Sequence, residues 1–379
     1  MAIADFIVIG GGIAGLSAAA RLAVHGRTVL LEAEAGLGYR ASGRSATFSH
    51  FGIGDATVRA LTRHSQAFFA APPDGFAPVP LARAAAALFV AREEMVPALD
   101  ALHARMAPLS DGVAKVSEAG MLALCPLLRT GADGIVAAVV DRNGQRLDSD
   151  ALLQAYARAV RGQGGETLTG RRVSGVRRLG SDWQVMCESG ERWTAPVLVN
   201  AAGAWADDVA RRAGVAPLGL APKRRTIIVF DPPAGTDVRS WPFVKSVVDE
   251  FYMLPEAGRL MASPVDEIDD EPCDAQPEEY DVALAAHQVE RYTLMSVARI
   301  AHRWAGLRSF VVDRVPVAGF APGAPGFFWL AGQGGFGLQT APAMAEIAEA
   351  LIVGAPWPAA IASLGVEAAR ITPDRLFDR

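Results

Sequence analysis

Phe6-Ile-Val-Ile-Gly-Gly-Gly-Ile-Ala-Gly15 joins a short apolar run to glycines at G-x-G-x-x-G spacing, namely Gly10, Gly12 and Gly15. The four apolar residues predict a buried strand, and the small residues that follow predict a helix. A second apolar run, Thr28–Leu31, predicts a second strand. This order of strand, glycine turn, helix and strand indicates a βαβ unit that belongs to a parallel sheet.

Each glycine in this motif has its own physical role. Gly10 allows a tight turn, Gly12 lets a pyrophosphate approach the backbone, and Gly15 lets the helix pack closely on the strand. The unpaired N–H groups at the helix start favour phosphate. Glu32 follows the second strand, where a carboxylate accepts hydrogen bonds from ribose hydroxyls and repels a 2′-phosphate. The unit therefore predicts binding of an adenine dinucleotide.

Composition excludes several functional classes. The 379 residues are 51% hydrophobic and 20% charged, which is typical of a folded chain large enough for two domains. With a net charge of −5 and no basic cluster longer than Lys223-Arg224-Arg225, nucleic-acid binding is not expected. The spacing of Cys125, Cys187 and Cys273 fits neither a disulfide framework nor a metal site. We therefore expect no bound metal, and we expect the protein to reside in a reducing compartment.

The sequence also bears on location. No apolar run approaches the roughly 18 residues of a spanning helix, and no leader is recognised before the first strand, so a cytoplasmic protein without a transmembrane segment is expected. Peripheral contact with the inner membrane stays open.

The chain alternates between two styles of sequence, which predicts an α/β fold with an α+β substrate part. Residues 1–76, 146–220 and 317–379 are βαβ-like and predict one discontinuous, Rossmann-like nucleotide-binding domain. Residues 77–145 and 221–316 predict an interleaved, antiparallel-sheet domain for the substrate.

Within the second of these insertions, residues 224–316 predict mostly antiparallel strands. Phe251–Leu254 is expected to pair with Arg259–Ala262 across a Pro-Glu-Ala-Gly turn. The acidic run Asp266–Asp281 is interpreted as a solvated loop.

Two further segments distinguish FAD from NAD as the dinucleotide. Gly43-Arg44-Ser45-Ala46 follows the βαβ unit, where a nicotinamide enzyme has no special need of a loop. Val197-Leu-Val-Asn-Ala-Ala-Gly203 is a late strand that ends on small residues able to pass close to a cofactor. With the glycine motif and Glu32, these segments resemble the glycine-oxidase and D-amino-acid-oxidase type of FAD-dependent amine oxidoreductases.

The resemblance runs almost from end to end, and within the family the D-arginine dehydrogenases are the most similar group. It rests on several contiguous motifs: Gly38-Tyr39, Val58–Thr62, Leu198–Trp205, Leu218–Leu220, Pro222–Arg225, Trp304–Phe310 and Gln333–Gly335.

The resemblance implies a flavin site built from scattered segments. No cysteine lies near Gly332–Gly337 in the sequence, so a non-covalent FAD is expected. That segment repeats the G-x-G-x-x-G pattern, but no second strand or acid follows, so it is interpreted as a turn that aims a helix N-terminus at the flavin ring. The implied cofactor-binding residues are Gly10, Gly12, Ile13, Ala14, Gly15, Glu32, Gly43, Arg44, Ser45, Ala46, Val173, Ala202, Gly203, Trp205, Gly335, Gly337, Leu338, Gln339 and Thr340.

On the substrate side, an α-carboxylate calls for a permanent cation with forked donors. Arg308 is the first candidate, because it lies in an apolar run and matches the carboxylate-binding arginine of the family. Arg225 and Tyr252 match further substrate contacts, and Gly334 would present backbone to the amine. The alternatives are a structural ion pair for Arg308, a structural or surface cation for Arg225, and a tyrosine of the core for Tyr252. His50 lies beside the expected site, but nothing in the sequence marks it as a base.

Three departures from the arginine-active enzymes bear on the substrate. Where those enzymes have a histidine, a lid tyrosine and an acidic residue, this chain has Phe48, Ile53 and Ala87. A guanidinium buried in such a pocket would lack its partner. The sequence therefore predicts a neutral, hydrophobic side chain in preference to that of D-arginine, with a displaced loop and another acid as the alternative.

The resulting prediction is an FAD-dependent D-amino-acid dehydrogenase or oxidase that produces an imino acid, which hydrolyses to a 2-oxo acid and ammonia. An oxidase for glycine, sarcosine or proline-like secondary amines is the alternative within the class, and a flavin subunit of a multi-subunit amine dehydrogenase is the alternative outside it. The electron acceptor, whether quinone, another carrier or O2, is not determined by the sequence.

Overall fold

Local capping sets several of the helix ends. Asp55 and Asp148 accept hydrogen bonds from the backbone N–H groups of Val58 and Ala151, and thereby start the second and fifth helices. Gly354, with φ +69°, ends the eighth. The computed structural model describes residues 2–377, in which the α-helices are α1 (Ile13–Leu22), α2 (Ala56–Ala70), α3 (Val96–Met106), α4 (Glu118–Leu124), α5 (Ser149–Gly162), α6 (Ala206–Arg212), α7 (Glu279–Tyr292), α8 (Gly337–Val353), α9 (Ala359–Ala362) and α10 (Asp374–Phe377).

The strands divide into long ones that build the main sheets and short ones at their edges. In chain order they are β1 (Ala2–Ile3), β2 (Phe6–Ile9), β3 (Thr28–Leu31), β4 (Phe48–Ser49), β5 (Ala82–Ala84), β6 (Ala87–Ala91), β7 (Val113–Val116), β8 (Ala137–Asp141), β9 (Gln145–Leu147), β10 (Glu166–Leu168), β11 (Val173–Leu179), β12 (Asp182–Cys187), β13 (Arg192–Ala195), β14 (Val197–Asn200), β15 (Ala221–Phe230), β16 (Phe243–Ser246), β17 (Tyr252–Glu256), β18 (Arg259–Ser263), β19 (Ile268–Asp269), β20 (Ile300–Phe310), β21 (Val317–Phe320) and β22 (Phe327–Ala331).

The βαβ unit predicted at the N-terminus is confirmed and lies in the middle of a mainly parallel sheet. Its strand order is β10-β3-β2-β14-β22-β21, and only the last pair is antiparallel. Helices α1, α5 and α8 bury one face, and a four-stranded sheet, β1-β13-β12-β11, together with α6 buries the other. Because both faces are covered, β2 and β3 are buried at every position, and all of their residues except Thr28 are apolar. The glycine turn thus lies at the carboxyl edge of the sheet, where ligands bind in such folds.

The second large sheet has the order β19-β15-β18-β17-β16-β6-β8-β7, and β20 also pairs with β15. The register places Gly306 opposite Arg225 and Tyr252 opposite Lys245. One face of this sheet, which we call the chamber face, carries Tyr252, Phe243 and neighbouring side chains at alternate positions. The opposite face packs against α4 and α7.

Two expectations for residues 224–316 are wrong in part. The structure contains a helix, α7, in the region predicted to be mostly strands, and the acidic run is not simply a solvated loop. Asp266 and Asp281, at the ends of that run, are buried. Asp266 accepts hydrogen bonds from the N–H and hydroxyl groups of Thr226, and Asp281 pairs with Arg224. These acids are therefore held in place by buried donors.

The parallel sheet is built from the segments predicted to bind the nucleotide, and the second large sheet from the segments predicted to bind substrate. The exact division into domains remains a prediction. Between residues 2 and 377, no helix is both long enough and apolar enough to cross a membrane. In the same range, no group of three or more His, Cys, Asp and Glu side chains is arranged to hold a metal ion.

Candidate functional site

A cavity of about 270 Å³, partly open to solvent, is lined by residues of both large sheets. The parallel sheet supplies its glycine turn and Glu32, and the second sheet supplies Arg225 and Arg308. Gly334, predicted to face the amine, also lies on its wall. The predicted cofactor-binding residues that line the cavity are Gly10, Gly12, Ile13, Ala14, Glu32, Arg44, Ser45, Val173, Ala202, Gly203, Trp205, Gly335, Gly337 and Leu338.

The glycine turn has the geometry that its sequence predicts. Gly10 has φ +111°, and a Cβ on it would lie 2.3 Å from the carbonyl oxygen of Ala201. A Cβ on Gly15 would lie 1.9 Å from the carbonyl oxygen of Gly10, so helix and strand approach as closely as only glycine permits. At Gly12 the nearest atom to such a Cβ is the hydroxyl of Ser42, at 3.3 Å, which leaves the backbone accessible from the cavity.

Glu32 faces the cavity as the sequence predicts. Its carboxylate accepts hydrogen bonds from the backbone N–H groups of Gly11, at 2.6 Å, and Glu34, at 2.8 Å. Burial raises the pKa of Glu32, although these two hydrogen bonds act in the opposite direction. A carboxylate fixed in this way has oxygen lone pairs left for the hydroxyls of a bound ribose.

The second glycine turn joins the cofactor wall to the substrate side. It leads into α8 at Gly337, so the first N–H groups of this helix have no partner within the helix. Neither end of the buried Gln333 amide has a hydrogen-bond partner within residues 2–377. A buried amide of this kind needs a partner, and a flavin ring carries both donors and acceptors. Open backbone, ribose acceptor and unsatisfied amide together fit a dinucleotide flavin.

Five of the implied cofactor-binding residues do not line the cavity, so their part in cofactor binding remains a prediction. The amide of Gln339 donates to the hydroxyl of Thr62 at 2.8 Å, and the hydroxyl of Thr340 donates to the carbonyl of Phe336 at 2.9 Å. These side chains hold the turns from behind. The five residues are Gly15, Gly43, Ala46, Gln339 and Thr340.

Arg44 lines the cavity but is bound to the opposite sheet. Its guanidinium donates to the carbonyl oxygens of Ala275, at 3.2 Å, and Ala305, at 3.0 Å, and it pairs with Asp274. The loop that follows the βαβ unit is therefore tied to the second sheet. Cys273 lies on the same wall, with burial raising the pKa of its thiol, so the non-covalent state of the flavin remains a prediction.

Arg308 is a cation without a partner. Within residues 2–377 its guanidinium makes no hydrogen bond or ion pair, although it lies on the cavity wall. Its Nη1 would lie 2.6 Å from a Cβ at Gly335, so the guanidinium packs against the backbone of the second glycine turn. Burial and the nearby charge of Arg225 together lower the pKa of Arg308 to about 10, although the charges of Glu267 and Asp266 act in the opposite direction. This cation therefore lacks a counter-ion, which an anionic ligand can supply.

Arg225 lies beside Arg308 but is already bound. Its Nε donates to the backbone carbonyl of Asp266 at 2.6 Å, and its Nη2 pairs with Glu267 at 3.2 Å. Tyr252 is only 3% exposed, and its hydroxyl has no hydrogen-bond partner among the described residues. The three residues implied for carboxylate binding are thus close together, and two of them have unused hydrogen-bonding capacity.

The residues expected around the substrate side chain do not line the cavity in this structure. Phe48 stacks on Phe243 with ring centroids 4.9 Å apart, and Ala87 is buried in the same cluster on the chamber face. Ile53 packs against Phe310 and a neighbouring phenylalanine in a separate small cluster. The implied pocket is therefore a packed apolar cluster beside the cavity, with Tyr252 at its edge.

His50 is also off the cavity wall and is neutral. Its Nδ1 accepts a hydrogen bond from the N–H of Gly52 at 3.0 Å, so the ring proton lies on Nε2. Burial lowers the pKa of His50 to about 3, and the positive charge of Lys245 contributes. The ring stacks on Phe243 at 5.1 Å. An occupied Nδ1 and a low pKa are unfavourable for a base.

Sequence reasoning missed Lys245, which is buried on the chamber face. Lys245 is 7% exposed, and its ammonium donates to Asp249 and to the carbonyl of Ser246. The available signal was a single lysine two residues after Phe243, in a strand that is buried throughout. Alternate residues of a strand share a face, so Lys245 must lie on the same face as Phe243.

Comparison with known proteins agrees with this site. The sequence model of the family described as FAD dependent oxidoreductase (DAO) matches residues 5–351. Among solved structures, glycine oxidase from Geobacillus kaustophilus has 19% identity and a TM-score of 0.82, covering 94% of this chain and 96% of its own. An L-amino acid deaminase from Proteus myxofaciens has 15% identity and a TM-score of 0.82, covering 99% and 94% respectively. An L-α-glycerophosphate oxidase from Mycoplasma pneumoniae, with FAD bound, has 19% identity and a TM-score of 0.83, covering 93% and 95%.

These structures share the fold, and the family match covers nearly the whole chain. FAD is the cofactor of this family, and the cavity has the backbone, acid and helix terminus that FAD requires. The chain therefore belongs to the DAO family of FAD-dependent oxidoreductases.

Proposed function

We propose that this protein oxidises the α-amine of D-amino acids. The observation that carries the proposal is the guanidinium of Arg308 on the wall of the flavin cavity, a cation that has no hydrogen-bond or ion-pair partner among the described residues. Such a cation suits a carboxylate, because a guanidinium and a carboxylate form two parallel charge-assisted hydrogen bonds. The unpaired hydroxyl of Tyr252 supplies a further donor. Preference for the D enantiomer is supported by the sequence resemblance.

Bound FAD supplies the acceptor for the hydride of the α-carbon, and the chain supplies position. Arg308 fixes the carboxylate, and its packing on Gly335 keeps the α-carbon next to the flavin turn. The amine proton leaves to solvent, because His50 is neutral and its Nδ1 is occupied. The imino acid that forms is then hydrolysed to a 2-oxo acid and ammonia.

The surroundings support a side chain that is not cationic. Phe48 and Ala87 belong to an apolar cluster on the chamber face. The buried ammonium of Lys245 lies near the same cluster and would repel the guanidinium of D-arginine. We therefore propose a preference for neutral side chains, such as those of D-leucine, D-methionine and D-phenylalanine, over D-arginine.

The test is anaerobic mixing of the flavin-loaded protein with a panel of D- and L-amino acids while the flavin absorbance is followed. Bleaching by neutral D-amino acids supports the proposal. A clear preference for D-arginine would contradict the side-chain assignment, and the absence of bleaching by any amine would contradict the function. Admission of oxygen afterwards separates an oxidase, which recolours quickly, from a dehydrogenase.

A further inference from the structure

Lys245 does not itself line the cavity, but it lies close enough to Arg225 and Arg308 on the cavity wall for their charges to act on it. In the sheet it lies opposite Tyr252 on one side and Phe89 on the other, so the three side chains share the chamber face. Its ammonium has three N–H donors, of which Asp249 and the carbonyl of Ser246 use two. The ammonium of Lys245 thus has one unused N–H donor, and the buried hydroxyl of the neighbouring Tyr252 has no hydrogen-bond partner among the described residues.

Asp249 shows what kind of group this place attracts. It lies in the loop after β16, and its side chain is 74% exposed. Its carboxylate nevertheless pairs with the ammonium of Lys245. Burial alone would raise the pKa of Asp249, but the charges of Lys245, Arg225 and Arg308 hold it below its ordinary value. A carboxylate at this point is therefore stabilised by three cations, one of them unpaired.

Resting on the function proposed above, we propose that Lys245 binds a second carboxylate of the substrate. The substrate class is then dicarboxylic D-amino acids, with the α-carboxylate on Arg308 and the distal carboxylate on Lys245 in place of Asp249. The aromatic side chains of Phe243 and Phe89 contact the methylene groups between them. Among side chains that are not cationic, those that end in a carboxylate are preferred over uncharged ones of the same length.

A purely structural ion pair is the competing explanation for Lys245. A lysine that only anchored a loop would gain little from burial, because an exposed aspartate screened by water gives a weak pair. The structure contains such a surface pair between the same sheet and α3, Lys115 with Asp100, where both side chains are more than half exposed. That pair provides the control.

The experiment compares kcat/KM for D-glutamate with that for D-glutamine, which is nearly isosteric and uncharged. We expect the wild-type ratio to be at least tenfold in favour of D-glutamate, with D-aspartate and D-2-aminoadipate defining the best spacing. Lys245→Met should lower the ratio at least tenfold, Lys245→Arg should restore part of it, and Lys115→Met should leave it unchanged. Asp249→Asn should raise the ratio severalfold, because it removes the competing carboxylate.

A binding measurement makes the result independent of turnover. Calorimetric titration with glutarate and with its monoamide should show tighter binding of glutarate, and the difference should disappear in Lys245→Met. The inference would be overturned if the wild-type ratio of kcat/KM for D-glutamate to that for D-glutamine were one or less. It would also be overturned if Lys245→Met changed neither this ratio nor the affinity for glutarate. Bleaching by neutral D-amino acids in that case leaves the proposed function standing, whereas no bleaching by any amino acid overturns the function itself.

Discussion

Replacing Arg308 by methionine should stabilise the protein and disable it at the same time. The guanidinium is desolvated and has no counter-ion, so folding places a charge where it is unfavourable. Burial lowers its pKa from the ordinary value to about 10, and one pKa unit corresponds to about 1.4 kcal/mol. The charged form therefore costs the folded protein at most about 3 kcal/mol, because Arg308 is partly accessible from the cavity, and methionine, of similar length, should recover part of this cost.

The same substitution removes the partner of the substrate carboxylate. Losing one member of a desolvated charge pair costs about 2–5 kcal/mol, so a middle value of about 3 kcal/mol predicts a fall in kcat/KM of roughly two orders of magnitude. The assay is stopped-flow reduction of the bound flavin by a D-amino acid, with thermal unfolding at fixed FAD concentration measured on the same samples. Arg308→Lys keeps the positive charge but loses the forked donors, so its kcat/KM should lie between those of the wild type and Arg308→Met.

Arg314→Met is the matched control. Arg314 is half-exposed, pairs with Glu267 and lies over the ring of Phe310, so its loss should change stability by less than about 0.5 kcal/mol and leave flavin reduction intact. If Arg308→Met lowered the melting temperature and left kcat/KM unchanged, Arg308 would be a structural residue and the carboxylate assignment would be refuted.

Three further predictions concern the cofactor wall and its surroundings. The pKa of His50 is lowered to about 3 in the folded protein, so between about pH 6.5 and pH 3 only the unfolded chain gains a proton at this residue. The free energy of unfolding therefore falls by up to about 1.4 kcal/mol per pH unit over this range. Urea unfolding at pH 7 and pH 5 should show a smaller decrease for His50→Gln than for the wild type. Glu32→Gln should weaken FAD binding about tenfold to a hundredfold, because hydrogen bonds to a charged acceptor contribute about 1.5–3 kcal/mol, and fluorescence titration of the apoprotein measures it. Gly15→Ala should destabilise the fold by about 1–3 kcal/mol in thermal unfolding, since its Cβ would lie 1.9 Å from the carbonyl oxygen of Gly10; a normal melting temperature would contradict the packing described here.

The sequence predicted those parts of the structure that local patterns determine. The βαβ unit was predictable because its strand, glycines, helix and acid all lie within 27 residues, Phe6 to Glu32. Helix α7 was not predicted, because its apolar residues Val282, Ala285 and Val289 follow an acidic run that dominated the interpretation. Their helical spacing was present and could have been weighed against the charge.

The site divides in the same way. Arg308 and Tyr252 came from resemblance to a family, and the structure brings them to one region. Lys245 was missed because its neighbours Tyr252 and Phe89 belong to two other strands, and only sheet register brings them together. Pairing of that kind depends on contacts between distant residues, which no local window contains.

The contact between Gly335 and Arg308 constrains how this enzyme can change over evolutionary time. A Cβ at Gly335 would lie 2.6 Å from Nη1 of Arg308, so a methyl group added to the flavin turn would push the carboxylate-binding cation out of place. A substitution at residue 335 would therefore be tolerated by the fold but would move the carboxylate-binding group, so changes at the far end of the site alter the substrate with less effect on carboxylate binding.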